Sequence, residues 1–269
     1  MRRESFHTPG SLTLDVRLPS GEITLESVDG DETVVELVAT TSSDEAREVI
    51  ENARVELRAR GGGHEVLVDV QKRRRFFDFG RSEIVLRIYA PHGADVEVST
   101  ASADVSGRGR FGGLKAQIAS GDVRFAELGA RVEIKSASGD VDVERIGGGA
   151  TINTASGDIR VGRVEGEATF RSASGDVTVE EAQSSVTVQT ASGDQRLESV
   201  ASGRVTMQSA SGDQTVGVRA GSRVHVDAKT MSGDASSELD VSDEPVGGEG
   251  PQLELRATSM SGDIQILRA

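Results

Sequence analysis

Apolar and polar residues alternate with a period of two along most of the chain, and short glycine-rich bends interrupt the alternation. In residues 138–155, Val141 and Val143 flank an acidic residue, and three consecutive glycines precede a second alternating run. This period is typical of strands with one buried face, and glycine runs mark the bends between strands. The pattern therefore predicts many short β-strands.

The tripeptide Ser-Gly-Asp recurs through more than half of the chain. Its copies begin at Ser120, Ser138, Ser156, Ser174, Ser192, Ser211, Ser232 and Ser261. A variant with Ala103 in the glycine position begins at Ser102, and from Ser102 to Ser192 the serines are always 18 residues apart. A fixed short period is the signature of a solenoid. We therefore predict an all-β fold, a parallel β-solenoid of about nine rungs of 18 residues, with right-handed coils favoured by the general handedness of parallel crossovers.

The N-terminal third departs from this period. Residues 1–92 are predicted to form a β-rich cap that is continuous with a solenoid of residues 93–269. A short helix is expected at about residues 43–53, because acidic residues occupy its first turn and apolar residues share one face. The tripeptide Ser20-Gly21-Glu22 resembles an early, degenerate copy of the repeat.

The C-terminal part is less regular. Residues 242–252 form an acidic loop rich in proline and glycine, which lengthens the spacing between the last two repeats. The final strand, with Ile264 and Ile266, is truncated and is expected to lie at the open end of the solenoid. An open end is either covered or associates with another edge.

The repeated tripeptide has a structural and a functional interpretation. As a corner, glycine tolerates a positive φ, and aspartate and serine bond to amides that the bend leaves free. As a metal ladder, the stacked carboxylates would bind cations; their residues are Asp122, Asp140, Asp158, Asp176 and Asp194. Calcium β-rolls carry such a motif twice in each turn, whereas this chain carries it once. The structural corner is therefore favoured, and no metal site is predicted.

One segment stands out from the surrounding composition. It begins Lys72-Arg73-Arg74-Arg75-Phe76-Phe77 and continues to Arg81 with a third phenylalanine. Clustered cations beside aromatic rings suit an anionic membrane surface, a nucleic acid or an acidic protein. The alternative is a solvated hairpin loop whose phenylalanines pack back over the cap. This segment is the first candidate for a contact site, with an unknown protein partner or a membrane surface.

Composition narrows the possible functions. The 269 residues carry a net charge of −14, from 30 basic and 44 acidic residues, which argues against nucleic-acid binding. The absence of cysteine excludes disulfides and thiolate chemistry. No apolar run follows the basic residues near Met1, and no stretch approaches the length of a membrane span. A cytoplasmic protein, monomeric or a small homo-oligomer, is expected.

Nothing in the sequence favours an enzyme. The histidines, His7, His64, His92 and His225, lack the spacing of metal ligands. The glycine-rich corners lack the lysine and the following helix of a phosphate loop. No serine sits in a nucleophile elbow, and regular 18-residue rungs leave no room for the long loops that wall a pectinase-type groove. No catalytic residue and no cofactor is therefore predicted.

The Ser/Thr-Ala-Ser-Gly-Asp-aliphatic ladder resembles a bacterial family described as "putative adhesin" or Toastrack-type β-strand repeats. The likeness runs from about Leu12 to the C-terminus and includes the basic-aromatic segment and a late stretch, Gly217-Val218-Arg219 followed by Gly221. The resemblance implies a non-enzymatic β-solenoid. Some relatives are associated with cell-envelope stress systems, and others are fused to membrane segments or signal peptides.

Four functions are compatible with these features. The favoured hypothesis is a scaffold or sensing module, linked by the resemblance to envelope stress, whose partner depends on residues 73–77. The alternatives are a solenoid that assembles end to end, in which a charge at Ile264 or Ile266 would abolish filaments, and a calcium-stabilised adhesive module. A β-helix enzyme acting on polysaccharide is the least favoured.

Overall fold

The computed structural model describes residues 1–41, 44–70, 84–239 and 251–269. Within these residues the chain has 25 strands and one helix. It divides into two compact units, Met1–Gly139 and Asp140–Ala269, and each unit contains two sheets. In the repeats of both units, sheet B holds the strands that precede a Ser-Gly-Asp corner and sheet A holds the strands that follow it.

The first unit combines six strands in each sheet with the helix. Its elements are β1 (Arg2–His7), β2 (Leu12–Arg17), β3 (Ser20–Val28), β4 (Glu32–Ala39), α1 (Asp44–Asn52), β5 (Arg54–Arg60), β6 (Gly63–Asp69), β7 (Ile84–Pro91), β8 (Asp95–Thr100), β9 (Ser102–Phe111), β10 (Leu114–Ser120), β11 (Val123–Leu128) and β12 (Val132–Ser138). Sheet A has the order β1-β4-β7-β3-β9-β11, and sheet B has the order β12-β10-β8-β2-β6-β5.

The second unit contains most of the repeats. Its strands are β13 (Val141–Ile146), β14 (Ala150–Ser156), β15 (Ile159–Val164), β16 (Ala168–Ser174), β17 (Val177–Ala182), β18 (Val186–Ser192), β19 (Gln195–Val200), β20 (Gly203–Ser211), β21 (Gln214–Val218), β22 (Arg223–Thr230), β23 (Ala235–Ser237), β24 (Gln252–Ser261) and β25 (Ile264–Arg268). Sheet A has the order β13-β15-β17-β19-β21-β25-β23, and sheet B has the order β14-β16-β18-β20-β24-β22.

Each repeat forms one coil of two strands, joined by the Ser-Gly-Asp corner and followed by a short return turn. In sheet B, Ile152 pairs with Phe170 of the next coil, and in sheet A, Val161 pairs with Val179. All four side chains are buried, so the alternating pattern places a continuous apolar column between the sheets. The predicted parallel β-solenoid is confirmed, and its coils have two faces. The right-handed turn stays a prediction.

The helix α1 lies where the sequence predicts one. Ala46 and Ile50 are buried on one face, and α1 packs against β4 while connecting it to β5 of the other sheet. The guanidinium of Arg2 donates to the carbonyl oxygen of Ile50 at 3.0 Å, which is a favourable place for a cation because the last carbonyls of a helix lack partners. The domain boundary at residues 92/93 stays a prediction.

The coil of β2 and β3 lies inside the first unit. β2 pairs with β8 on one side and β6 on the other, and β3 pairs with β9 and β7 in the same way. Ser20-Gly21-Glu22 lies in register with Ser102-Ala103-Asp104, and Gly21 has a φ of 139°. The interpretation of this tripeptide as an early copy of the repeat is therefore confirmed.

The C-terminal coil is also internal, which corrects the expectation that the final strand lies at an open end. β24 lies between β20 and β22, and β25 lies between β21 and β23. Ile264 and Ile266 are consequently buried in the stack. The physical reason is apolar area: the last coil has two isoleucines in sheet A, whereas the short strand β23 has the sequence Ala-Ser-Ser. Placing the more apolar coil inside buries more surface.

We expect Ile266→Ala to lower the free energy of unfolding by about 2 to 5 kcal/mol, because it removes buried methylene groups from a packed core. Chemical denaturation of the full chain measures this change. Met231→Ala is the matched control, since Met231 is 82% exposed and its truncation should change stability by less than about 0.5 kcal/mol. Equal effects of the two substitutions would contradict the internal position of β25.

Candidate functional site

The Ser-Gly-Asp corners of adjacent coils are joined by three hydrogen bonds. At the corner of Gly175, its N–H donates to the carbonyl oxygen of Ser192 at 3.1 Å, and the N–H of Val177 donates to the carbonyl oxygen of Asp194 at 2.9 Å. The N–H of Asp194 then donates back to Oδ1 of Asp176 at 2.8 Å. The corner therefore satisfies backbone groups that a bend would otherwise leave without partners.

At the corner of Gly175, glycine is required for two separate reasons. Gly175 has a φ of 137°, a backbone conformation that residues other than glycine rarely adopt. A Cβ added there would also lie 2.3 Å from the carbonyl oxygen of Gly157 in the preceding coil. The corners thus approach one another too closely for any side chain at this position.

The aspartates of the predicted ladder lie at these corners, and each unit shows the same contact between adjacent copies. In the first unit, the N–H of Asp122 donates to Oδ1 of Asp104 at 2.9 Å. In the second unit, six such bonds of 2.8 to 3.0 Å join consecutive corners. They link the corners in the order Asp140, Asp158, Asp176, Asp194, Asp213, Asp263 and Asp234. The carboxylates therefore bond coil to coil.

The second carboxylate oxygen has an arginine partner in two of these corners. Oδ2 of Asp122 accepts from Arg124 and Oδ2 of Asp158 accepts from Arg160, both at 2.7 Å. In the described part of the chain, no group of three or more His, Cys, Asp or Glu side chains is placed to hold a metal ion. These carboxylate oxygens therefore have protein partners, as the structural interpretation of the corner requires.

A column of buried hydroxyl groups supports the corners from inside, and it was not predicted. Thr154 donates to the carbonyl oxygen of Ser156 at 3.1 Å, and Thr190 donates to that of Gly193 at 3.3 Å. Gln195 extends this polar column, since its Nε2 donates to Thr190 Oγ1 at 2.8 Å and to the carbonyl oxygen of Gln208 at 2.7 Å. The signal was available, because Ser or Thr usually stands two residues before the Ser of each corner.

The basic-aromatic residues Lys72, Arg73, Arg74, Arg75, Phe76 and Phe77 lie outside the described residues. The strands on either side of them in the chain are β6, which pairs with β2, and β7, which pairs with β3. The connection between β2 and β3 is the corner at Gly21. The N–H of Val70 donates to the carbonyl oxygen of Arg17 at 2.8 Å. In chain order, residues 72–77 therefore follow β6 and precede β7, just as the corner at Gly21 joins β2 to β3 in the adjacent coil.

A cleft of about 430 Å³ lies at the C-terminal ends of β2, β6 and β8. Its lining residues are Arg17, Leu18, Pro19, Asp69, Val70, Ser99, Thr100 and Ala101. Arg17 donates to Asp15 at 2.8 Å, and this hydrogen bond raises the pKa of the Arg17 guanidinium. The cleft thus has a permanent cation on one wall and the carboxyl group of Asp69 among its lining residues.

The structure also assembles a Ser-His-Asp cluster that sequence reasoning missed. Ser27 Oγ lies 2.8 Å from Nδ1 of His92, and Nε2 of His92 lies 3.2 Å from Oδ1 of Asp29. Ser27 Oγ also accepts the N–H of Arg110 at 2.8 Å. Because the Asp29 side chain is fully exposed, water screens its effect on the histidine. The cluster therefore fastens neighbouring turns and does not resemble a buried, oriented triad.

The family model Toastrack DUF4097 matches residues 12–267. The chain belongs to this family. The resemblance noted from the Ser-Gly-Asp ladder is thereby confirmed. No protein of curated function matches this Toastrack chain.

Three solved structures are similar to the Toastrack chain. A "putative adhesin" from Bacteroides fragilis is 12% identical, with 99% of this chain and 96% of that one covered and a TM-score of 0.49. A "putative adhesin" from Parabacteroides merdae is 10% identical, with 99% and 96% covered and a TM-score of 0.42. A "putative cell adhesion protein" from Clostridium sporogenes is 10% identical, with 100% and 99% covered and a TM-score of 0.26.

Among the described residues of the Toastrack chain, no helix is long and apolar enough to cross a membrane.

We expect Gly175→Ala to destabilise the protein by roughly 3 kcal/mol, because positive φ and a close carbonyl oxygen both oppose a Cβ. Gly221→Ala is the matched control, since Gly221 has a φ of 84° but no atom within 4 Å of an added Cβ. Its cost should be about 1 kcal/mol, from φ alone. Urea denaturation of both variants separates the two causes, and equal costs would show that the close approach is unimportant.

We expect Asp176→Ala to cost about 1 kcal/mol of stability through the lost bond to the Asp194 N–H, and Asp176→Asn to cost less because it keeps an acceptor. Neither calcium nor a chelator should change the melting temperature of the unchanged chain. Thermal unfolding with added calcium and with EDTA checks both statements. A melt that falls in EDTA for the unchanged chain, but not for Asp176→Asn, would instead support a metal ladder.

Proposed function

We propose that this Toastrack protein is a non-enzymatic β-solenoid that acts as a scaffold or sensing module and binds a protein partner through residues 72–77. Membership of the Toastrack family fits a non-enzymatic interaction module. A link to cell-envelope stress and a cytoplasmic location belong to the same proposal, and they rest on the family resemblance and on the sequence.

The observation that carries this proposal is the position of the basic-aromatic segment in the repeat. The repeat coils have a tight Ser-Gly-Asp corner whose backbone and carboxylate groups form hydrogen bonds with the next coil. In the coil of β6 and β7, the sequence instead has five cations, four of them consecutive, and three phenylalanines between the two strands. Connections between the strands of a rigid scaffold commonly carry binding residues.

Charge indicates the chemistry of the partner. The whole chain has a net charge of −14, so a run of four cations is a local exception that attracts an acidic surface. Arginine suits carboxylates because its guanidinium binds them with two parallel hydrogen bonds, and phenylalanine supplies apolar contact area. An acidic protein surface is therefore the partner that we favour over an anionic membrane.

We expect the triple substitution Arg73→Gln, Arg74→Gln, Arg75→Gln to reduce recovery of a specific partner by about tenfold or more, since three charge contacts are lost. Quantitative mass spectrometry of proteins that co-purify with the tagged full chain measures this change. The matched control replaces three exposed cations of the first unit by glutamine, Arg108, Lys115 and Arg131. Equal recovery of the partner with both triple variants would contradict the proposed contact.

Sedimentation with vesicles of phosphatidylglycerol and phosphatidylcholine distinguishes the membrane alternative. Under the proposal, the unchanged chain stays in the supernatant at physiological salt. Binding to these vesicles that the triple variant loses would instead assign residues 72–77 to a lipid surface.

A further inference from the structure

The coil of β22 and β23 forms the outer end of the second unit in the described residues. β22 pairs with β24 on one side, and β23 pairs with β25. Three of the five large apolar side chains that are exposed in the described chain belong to this coil or the next one: Val226 at 37%, Met231 at 82% and Met260 at 58%. This end therefore concentrates apolar surface that water still reaches.

Alternate residues of β22 direct their backbone groups away from β24. The N–H of Arg223 donates to the carbonyl oxygen of Pro251 at 2.9 Å, and that of Met231 donates to Ser259 at 3.2 Å. Because successive residues of a strand point their N–H and C=O groups to opposite sides, the odd-numbered residues face β24. The even-numbered residues from Val224 to Thr230 direct these groups to the other side, on which no described strand pairs with β22. An edge of eight residues is a ready template for another strand.

The side chains of β22 divide between the two faces of its sheet. Val224 and Val226 pair with the buried residues Leu253 and Leu255, so they lie on the core side. On the outer face, Asp227 accepts from Lys229 at 2.8 Å, and this hydrogen bond lowers the pKa of the Asp227 carboxyl group. Arg256 Nε lies 3.6 Å from the same carboxylate. The outer face therefore carries both signs of charge at neutral pH.

We propose that β22 pairs antiparallel with β22 of a second copy of this chain, which gives a closed, two-fold symmetric dimer. Arg223 and Asp227 stand two residues before and two residues after His225. With His225 on the two-fold axis, Arg223 of each copy lies opposite Asp227 of the other. The same register places Val224 opposite Val226, so each copy covers the half-exposed valine of its partner.

Other antiparallel registers fit the charges or the valines less well. If one β22 strand slides along the other by two residues, Arg223 lies opposite Lys229 of the second copy. If it slides by four residues, Asp227 lies opposite Asp227 of the second copy. Like charges directly opposite are destabilising. A shift of six pairs Asp227 with Lys229 but leaves Val224 outside the paired stretch. The charge pattern of β22 is therefore complementary to itself in one register that also covers both valines.

Sedimentation equilibrium of the full chain over a range of concentrations tests the dimer. We expect a reversible monomer–dimer equilibrium that Val226→Pro abolishes, because proline removes an N–H on the open side and leaves the bonds to β24 in place. Asp227→Arg should raise the dimer dissociation constant about tenfold. Combining it with Arg223→Asp restores the opposite charges and should recover most of the affinity.

Controls separate an interface effect from a folding effect. Leu57→Lys changes a comparably exposed apolar residue on β5, at 39% exposure, and should leave the dimer intact. Circular dichroism and thermal melts establish that each variant is folded. A chain that is monomeric at every concentration overturns the proposal, as does a dimer that survives Val226→Pro or growth beyond two copies. Failure of the double variant to recover affinity overturns the register. The inference is independent of residues 72–77.

Discussion

From Gly121 onward the repeat coils depend on one close approach, in which the corner glycine packs against the backbone of the coil stacked beside it. A Cβ added at Gly139, Gly175 or Gly193 would lie 2.1 to 2.3 Å from a carbonyl oxygen of the neighbouring coil. Only hydrogen fits, and its small size lets adjacent coils reach the hydrogen-bonding distance of parallel strands. The aspartate that follows the glycine, such as Asp176, then uses Oδ1 to accept the N–H of the aspartate in the next corner. Architecture therefore explains the most conspicuous motif of the sequence.

Local pattern was sufficient to predict the strands, the corners, the helix and the family, because each of these is decided within one period of the chain. The order of stacking was not predictable in the same way. A coil that begins with Ser261 can pair equally well with Ser211 or Ser232, since every coil presents the same backbone groups. The apolar content of the two coils determines which one is internal. The coil with Ile264 and Ile266 lies inside the stack, and the coil with Ala235 and Ser237 lies outside it.

Contacts between return turns escaped prediction for a related reason. Ser27, His92 and Asp29 come together because β3 and β7 are neighbours in sheet A, although Ser27 and His92 are 65 residues apart in the chain. The return turns have no repeating tripeptide that could place them in register from the sequence alone. The basic-aromatic segment, by contrast, was evident from its composition, whereas the stacking of β6 and β7 on β2 and β3 was not.

A solenoid of this kind restricts where function can reside. Along the repeats each coil presents nearly the same side chains as the last, and the polar groups at the corners are engaged in joining coils. Residues of different chemistry converge only where the period is broken or where stacking stops. In this chain the period is broken between β6 and β7, and stacking of the second unit stops at β22 among the described strands. These are the two places on which the proposed contacts of this protein rest.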